Sequence, residues 1–155
     1  MAESKAQKQD RGVDEQETTA TSINPRVVDI RQEWDWVKIG IEEVLREHPQ
    51  LTFRPEDVYT ACVTEAALLW VAPEGFVVTT GETDNFTGDR TLLIWIAWAE
   101  ERGKNCAVKY WKFFAEEAKN AGFSNLEVRT PIPQIEKYLL AEGWIKNTVI
   151  YTREL

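Results

Sequence analysis

The chain has 155 residues, one domain's worth, and a domain of that size can bury roughly two-thirds of its unfolded surface without a disulfide or a metal. Its 26 acidic residues outnumber 18 basic ones, for a net charge of -8, which argues against nonspecific nucleic-acid binding because that needs a basic face. Two cysteines, Cys62 and Cys106, and one histidine, His48, supply no zinc-ligand spacing, and any Ser-His-Asp or Cys-His system would have to use His48. Residues 1–22 contain no aromatic residue, Leu or Ile, and carry three cations against five carboxylates. Such a segment cannot bury enough apolar surface to offset its ordering entropy, which predicts a disordered arm. No apolar h-region follows Met1, so no signal peptide is expected, and no run reaches the ~20 apolar residues of a membrane span. A cytoplasmic location follows as the expectation, with no membrane partner.

A domain over residues 23–155 follows. Arg26–Ile30 reads as a short strand. Trp34, Val37, Ile41, Val44 and Leu45 then recur at helical spacing, and Pro49 stops that helix after His48. His48 therefore reads as a helix-end or surface residue. Trp34 and Trp36 lie about 200° apart on such a helix. Only one of them is expected to face the core, which makes the other a candidate partner contact. Pro55 opens a second helix running to about Glu65, with Glu56 and Asp57 in its first turn favouring the dipole.

Three strands come next. Leu68–Ala72 and Phe76–Thr80 form a hairpin around Pro73-Glu74-Gly75. A polar loop spans Gly81–Arg90, with a lone Phe86 and three carboxylates, Glu82, Asp84 and Asp89. Calcium-loop spacing is missing from it, so a substrate or interface loop is the better reading and no metal is expected. Thr91–Trp98 is almost wholly apolar, as suits a central strand covered on both faces. Alternation predicts that Trp95 and Trp98 point to opposite faces. Cys106–Ala121 reads as an amphipathic helix ended by Gly122. Leu126–Thr130 is a strand, Pro133–Ala141 a short helix, and Trp144–Arg153 a final strand. The order predicts an α/β fold of the α+β kind, with a mixed sheet of about six strands and helices on both faces.

The chemistry-bearing stretch is Arg102-Gly103-Lys104-Asn105-Cys106-Ala107. It turns an apolar strand into a helix, so the helix's free N–H groups and positive dipole end converge on one spot that suits phosphate. Cys106 sits at that helix start, a place that lowers a thiol pKa. Packing under the loop is still its better reading, because no histidine lies nearby.

The segment order, this loop, the helix end Glu117–Phe123, the strand Leu126–Thr130 and Leu140-Ala141-Glu142-Gly143-Trp144 together resemble the GNAT acyltransferase superfamily over Arg26–Leu155. The family's signature is Q/R-x-x-G-x-G/A, whose backbone amides grip the pyrophosphate of acetyl-CoA. Arg102 and Ala107 match it, while Asn105 stands at its first Gly, where a side chain crowds a ligand brought against the backbone. The resemblance implies acetyl-CoA as the cofactor and no other. Arg102, Gly103, Lys104, Asn105, Cys106 and Ala107 would hold its phosphates, with backbone groups of Ile96 and Trp98 holding pantetheine. The family's thiolate-protonating Tyr falls on Leu139, with Tyr138 one residue off, and a frequent Asn falls on Ile132. No acid lies within Leu92–Trp98, which leaves Glu100 or a loop acid as the base and Tyr138 as the acid.

Two functions are therefore expected in competition. One is a GNAT-like binding or assembly module with a degenerate acetyl-CoA site, with a protein partner or second copy engaged through residues 1–22 and Trp34 or Trp36. The other is an active N-acetyltransferase acting on an amine of a small molecule or peptide. In size and motif decay the chain also resembles the GNAT-like internal virion proteins of short-tailed phages.

Overall fold

A computed structural model describes residues 23–155; the expected arm, residues 1–22, lies outside the described residues. Five strands form one sheet in the order β1 (Arg26–Val28), β2 (Ala67–Ala72), β3 (Gly75–Thr83), β4 (Arg90–Ala99) and β5 (Asn125–Val128). The first four are antiparallel neighbours, and β5 runs parallel to β4. Helices α1 (Ile30–Glu47) and α2 (Pro55–Val63) cover one face. The other face carries α3 (Cys106–Lys109) and α4 (Trp111–Asn120), and α5 (Pro133–Ala141) follows β5. Among the described residues no helix is long and apolar enough to cross a membrane.

Alternation along the strands builds two cores. Leu69, Phe76 and Val78 pack with Ile30, Val37, Ile41 and Val58 on the α1–α2 side. Trp70, Ala72, Val77 and Ile94 pack with Cys106, Ala107, Tyr110 and Phe114 on the other. Trp70 brings a polar nitrogen into this interior, and its Nε1–H donates to the hydroxyl of buried Thr79 at 2.9 Å. That bond satisfies a group whose desolvation would otherwise cost about 1–3 kcal/mol.

Four expectations change. The first strand ends at Val28, because the Asp29 carboxylate caps α1 by accepting from the Arg31 N–H at 3.0 Å. The hairpin also extends into the expected polar loop, so that only residues 84–89 connect β3 to β4. The helix expected over Cys106–Ala121 breaks at Tyr110, where φ and ψ are -108° and 15° and the hydroxyl donates to Glu74 at 2.7 Å. Residues 144–155 form no strand, so among the described residues the sheet has five strands and not six. β-branched composition marks that segment as able to pair, but pairing needs a neighbouring edge as well.

The tryptophans also fall differently. Val78 of β3 pairs with Ile96 and Thr79 with Ile94, so Trp95 is an extra residue, a β-bulge. The bulge resets alternation, and Trp95 and Trp98 both pack on the α1–α2 core. Trp34 and Trp36 also reach that one core, each half-buried. Trp34 sets its edge against Tyr59, and Trp36 against Phe76.

Candidate functional site

The ladder between β4 and β5 stops at Ile94 and Val128, next to the bulge. Beyond it a cleft of about 140 Å³ opens between the two strands. Its walls come from Trp95, Ile96 and Ala97 of β4, and from Asn105, Ala107, Val108 and Trp111 at the start of the helical segment. The opposite wall is Val128–Ile132 with Ile135, Leu139 and Trp144, and the end of α1 adds Val44, His48, Gln50 and Leu51. That volume is below the ~300–1,000 Å³ of a drug-sized ligand site, so the enclosed part suits one end of a ligand. Among the described residues, the cleft-side edge of β4 beyond Ile94 pairs with no strand.

The loop expected to take phosphate has a definite internal bonding pattern. Asn105 is the N-cap of α3, and its Oδ1 accepts from the N–H groups of Ala107 at 2.9 Å and Val108 at 3.2 Å. Asn is among the strongest N-caps for this reason. Two of the donors that would face an anion are thus bonded to the chain's own side chain. α3 is also only four residues long, so few aligned peptide dipoles stand behind them. Arg102 is almost fully exposed and reaches Glu47 at 3.5 Å, and Lys104 pairs with Glu101 at 2.8 Å. Gly103 takes a φ of 84°, a left-handed conformation that glycine adopts without steric cost.

Of the expected site residues, Ile96, Asn105 and Ala107 line the cleft together. Trp98 does not. Its ring stacks on Phe76 at 5.6 Å, and its Nε1–H donates to Glu43 at 3.0 Å. Arg102, Gly103 and Lys104 are exposed outside the lining. Glu100 is exposed on the turn after β4, with its N–H bonded to the Glu74 carbonyl at 3.0 Å. Tyr138 is exposed and also lies outside the lining, whereas its neighbour Leu139 and Ile132 stand inside it. The loop acids lie elsewhere. Glu82 bonds Arg129, and Asp84 accepts from the N–H groups of Phe86 and Thr87, which hold its carboxyl below the usual range. Among the described residues no Asp or Glu lines the cleft.

Cys106 lies beneath the loop, 1 % exposed, with its Sγ 3.5 Å from the Trp98 carbonyl. Desolvation by burial, with the Glu74 carboxylate adding to it, pushes the thiol up to about 11. The lowering expected from a helix start is overturned, because removing the thiolate from water outweighs four residues of dipole. Burial raises Cys62 to about 11 as well. A thiol raised on folding keeps its proton in the native state while the unfolded chain loses it. Stability is therefore flat below about pH 8 and falls as pH rises from about 9 towards 11. With a disulfide-exchange reagent at pH 7.5, Cys106 is expected to stay unlabelled in the native protein and to react after unfolding. Rapid native labelling of Cys106 would contradict this placement.

Sequence reasoning missed His48, Gln50, Thr130, Trp111 and Trp144 as cleft residues. His48 is the C-cap of α1, as its place before Pro49 suggested, and that same position brings it to the cleft. Trp144 had a signal, since it follows Gly143 at the end of α5. Its ring sits edge-on to Trp111 at 5.6 Å, and its buried Nε1–H has no acceptor among the described residues.

No family model matches the sequence, and no curated protein matches it either. Solved structures do. A ribosomal-protein-alanine N-acetyltransferase from Brucella melitensis biovar Abortus 2308 superposes with a TM-score of 0.59 at 16 % identity, over 85 % of this chain and 98 % of its own. A predicted acetyltransferase with acetyl-CoA from Clostridium acetobutylicum gives a TM-score of 0.61 at 14 % identity, over 84 % and 95 %. An integron cassette protein from the mobile metagenome of Cole Harbour Salt Marsh gives 0.60 at 11 % identity, over 84 % and 89 %. The chain has the GNAT acetyltransferase fold. At these identities the likeness concerns fold, and function rests on the site.

Proposed function

We propose that this chain is a GNAT-fold binding and assembly module whose acetyl-CoA site is degenerate. One observation carries the reading: the Asn105 side chain bonds the Ala107 and Val108 amides at the place where the family's amides grip pyrophosphate. Two features of the cleft support it. Among the described residues its lining contains no carboxylate to take a proton from an amine, and Leu139 and Ile132 stand where the GNAT pattern carries Tyr and Asn. Residues 1–22, with the half-exposed faces of Trp34 or Trp36, would contact a protein partner or a second copy. An internal virion component of a phage is one such setting, and the cytoplasm or virion is the expected location.

One observation favours a second reading, an acetyl-CoA-dependent N-acetyltransferase. Beyond Ile94 the β4–β5 ladder has ended, and Ile96 and Ala97 border the cleft, where a pantetheine amide would bond. Glu100 would then serve as base and Tyr138 as acid, each reaching the amine or thiolate after movement or through water.

Titration calorimetry with acetyl-CoA separates the two. The native protein is expected to show no binding at micromolar concentrations, and Asn105→Gly is expected to bind. That substitution exchanges a strong cap for one weaker by only a few tenths of a kcal/mol, so the variant folds. Micromolar binding by the native protein, followed by acetyl transfer to an amine, would overturn the degenerate reading.

A further inference from the structure

Trp144 lines the cleft and carries a polar group that the chain does not use. Its Nε1–H is buried and has no acceptor among the described residues. A buried donor left unpaired is costly, and folded proteins rarely keep one without a reason. Two other polar side chains of the lining are already engaged. The Asn105 oxygen accepts from the Ala107 and Val108 amides, and the Thr130 hydroxyl accepts from the Ile132 N–H at 3.2 Å. What Trp144 offers a ligand is one unshared hydrogen-bond donor.

Charge sets the next limit. Arg129 is the one Lys or Arg among the described residues of the lining, and Glu82 and Glu127 each bond it at 2.9 Å. A bound carboxylate would have to compete with both glutamates for it. A bound ammonium would find no carboxylate in the described lining at all. A charge taken out of water without a partner is strongly disfavoured, so the cleft selects against ligands charged at the end they bury.

Size and wall chemistry set the rest. The enclosed volume is about 140 Å³. An apolar cavity of about 150 Å³ holds a benzene molecule. Three indole rings, those of Trp95, Trp111 and Trp144, stand in the lining with aliphatic Ile135 and Leu139. Aromatic walls favour a flat ring, through offset or edge-on contacts of the kind Trp111 and Trp144 already make at 5.6 Å. We infer that the cleft binds a neutral, ring-sized aromatic molecule bearing one carbonyl oxygen, which accepts from the Trp144 Nε1–H. This gives a ligand class to the degenerate site, and it rests on the reading of that site as a binding cleft and not a transferase centre. The amine acceptor of an acetyltransferase belongs to the class that this lining disfavours.

Titration of the full chain with acetophenone, followed by the indole N–H resonances, tests this. The titrations are run at about pH 8, where a histidine ordinarily carries no charge. The resonance that disappears in Trp144→Phe identifies the Trp144 N–H. In the native protein that resonance is expected to shift saturably as acetophenone is added. Benzoate and benzylamine, which carry a charge in place of the ketone, and ethylbenzene, which lacks the oxygen, are each expected to bind about tenfold more weakly or worse. Trp144→Phe keeps an aromatic ring against Trp111 and removes only the donor. It is expected to weaken acetophenone about tenfold and to leave the circular dichroism unchanged. Absence of saturable binding, a Trp144 resonance that does not move, or benzylamine binding as tightly as acetophenone would each overturn the inference, and the native-protein readouts stand even if the variant fails to fold. Acetyl-CoA titrated separately keeps the two readings apart. Its binding by the native protein counts against the degenerate site, whereas failure of acetophenone alone removes only the ligand class.

Discussion

Phe76→Ala is expected to destabilise the fold by about 3–5 kcal/mol, the usual cost of emptying a fully buried aromatic site. Phe76 is 0 % exposed and sits where three elements meet. Trp98 stacks on it at 5.6 Å and 26°, and Trp36 sets an edge against it at 5.8 Å. Each such pair adds about 0.5–1.5 kcal/mol beyond area burial. α1 is shaped to this ring, since a Cβ built on Gly40 would stand 2.6 Å from its Cε1 and 2.8 Å from Cδ2 of Trp98. The helix cannot close on the space a lost ring leaves without displacing Trp98 as well. Domains are stable by about 5–15 kcal/mol, so this substitution removes roughly a fifth or more of the total. Urea denaturation should show a large fall in midpoint with little change in slope. Phe86→Ala is the control. Its ring is 98 % exposed, and the expected change is within about 0.5 kcal/mol. Similar losses for the two would mean that Phe76 is not the packing centre described.

The sheet was largely legible because its strands alternate locally. Leu69, Phe76 and Val78 fall on one side and Trp70, Ala72 and Val77 on the other, as a period of two requires. The bulge was not legible, because an extra residue within the apolar run Leu92–Trp98 leaves no mark on composition. It reversed the relation of Trp95 to Trp98, and it lies where the β4–β5 ladder ends and the cleft opens. The segment 144–153 failed for the opposite reason. Its composition is right for a strand, but pairing is a long-range property, and among the described residues the segment pairs with no strand. At the site, the departure at Asn105 was visible in the sequence, while its consequence was not. A side chain expected to crowd a phosphate instead bonds the amides a phosphate would use. His48, Gln50 and Thr130 reach the cleft from places in the chain that share no local spacing with Asn105, so no periodicity marked them.

Gly75→Ala is expected to cost about 3 kcal/mol or more, the upper end of what overpacking causes, because the obstacle is backbone. A Cβ on Gly75 would lie 2.0 Å from the Trp98 carbonyl oxygen and 2.9 Å from the Ala99 Cα. Those atoms belong to the β4 strand that pairs with Gly75, so relief requires opening the ladder at Gly75–Ala99. The strain would not stay there. Glu74, the preceding residue, accepts from the Tyr110 hydroxyl, pairs with Lys109, and takes the Glu100 N–H on its carbonyl. These bonds fix α3 against the hairpin, and Asn105 caps α3. Gly88 makes the informative comparison. Its φ is 75° and no atom stands within 4 Å of its Cβ position, so Gly88→Ala meets only the torsional cost of about 1–2 kcal/mol. Thermal or urea denaturation should therefore rank Gly75→Ala well below Gly88→Ala in stability. Amide spectra should show shifts at Asn105–Val108 for the first variant and none there for the second. The reverse ranking would mean that the hairpin can open at Gly75 without cost. The coupling from that turn through Glu74 to the capped loop would then not be what holds the loop in place.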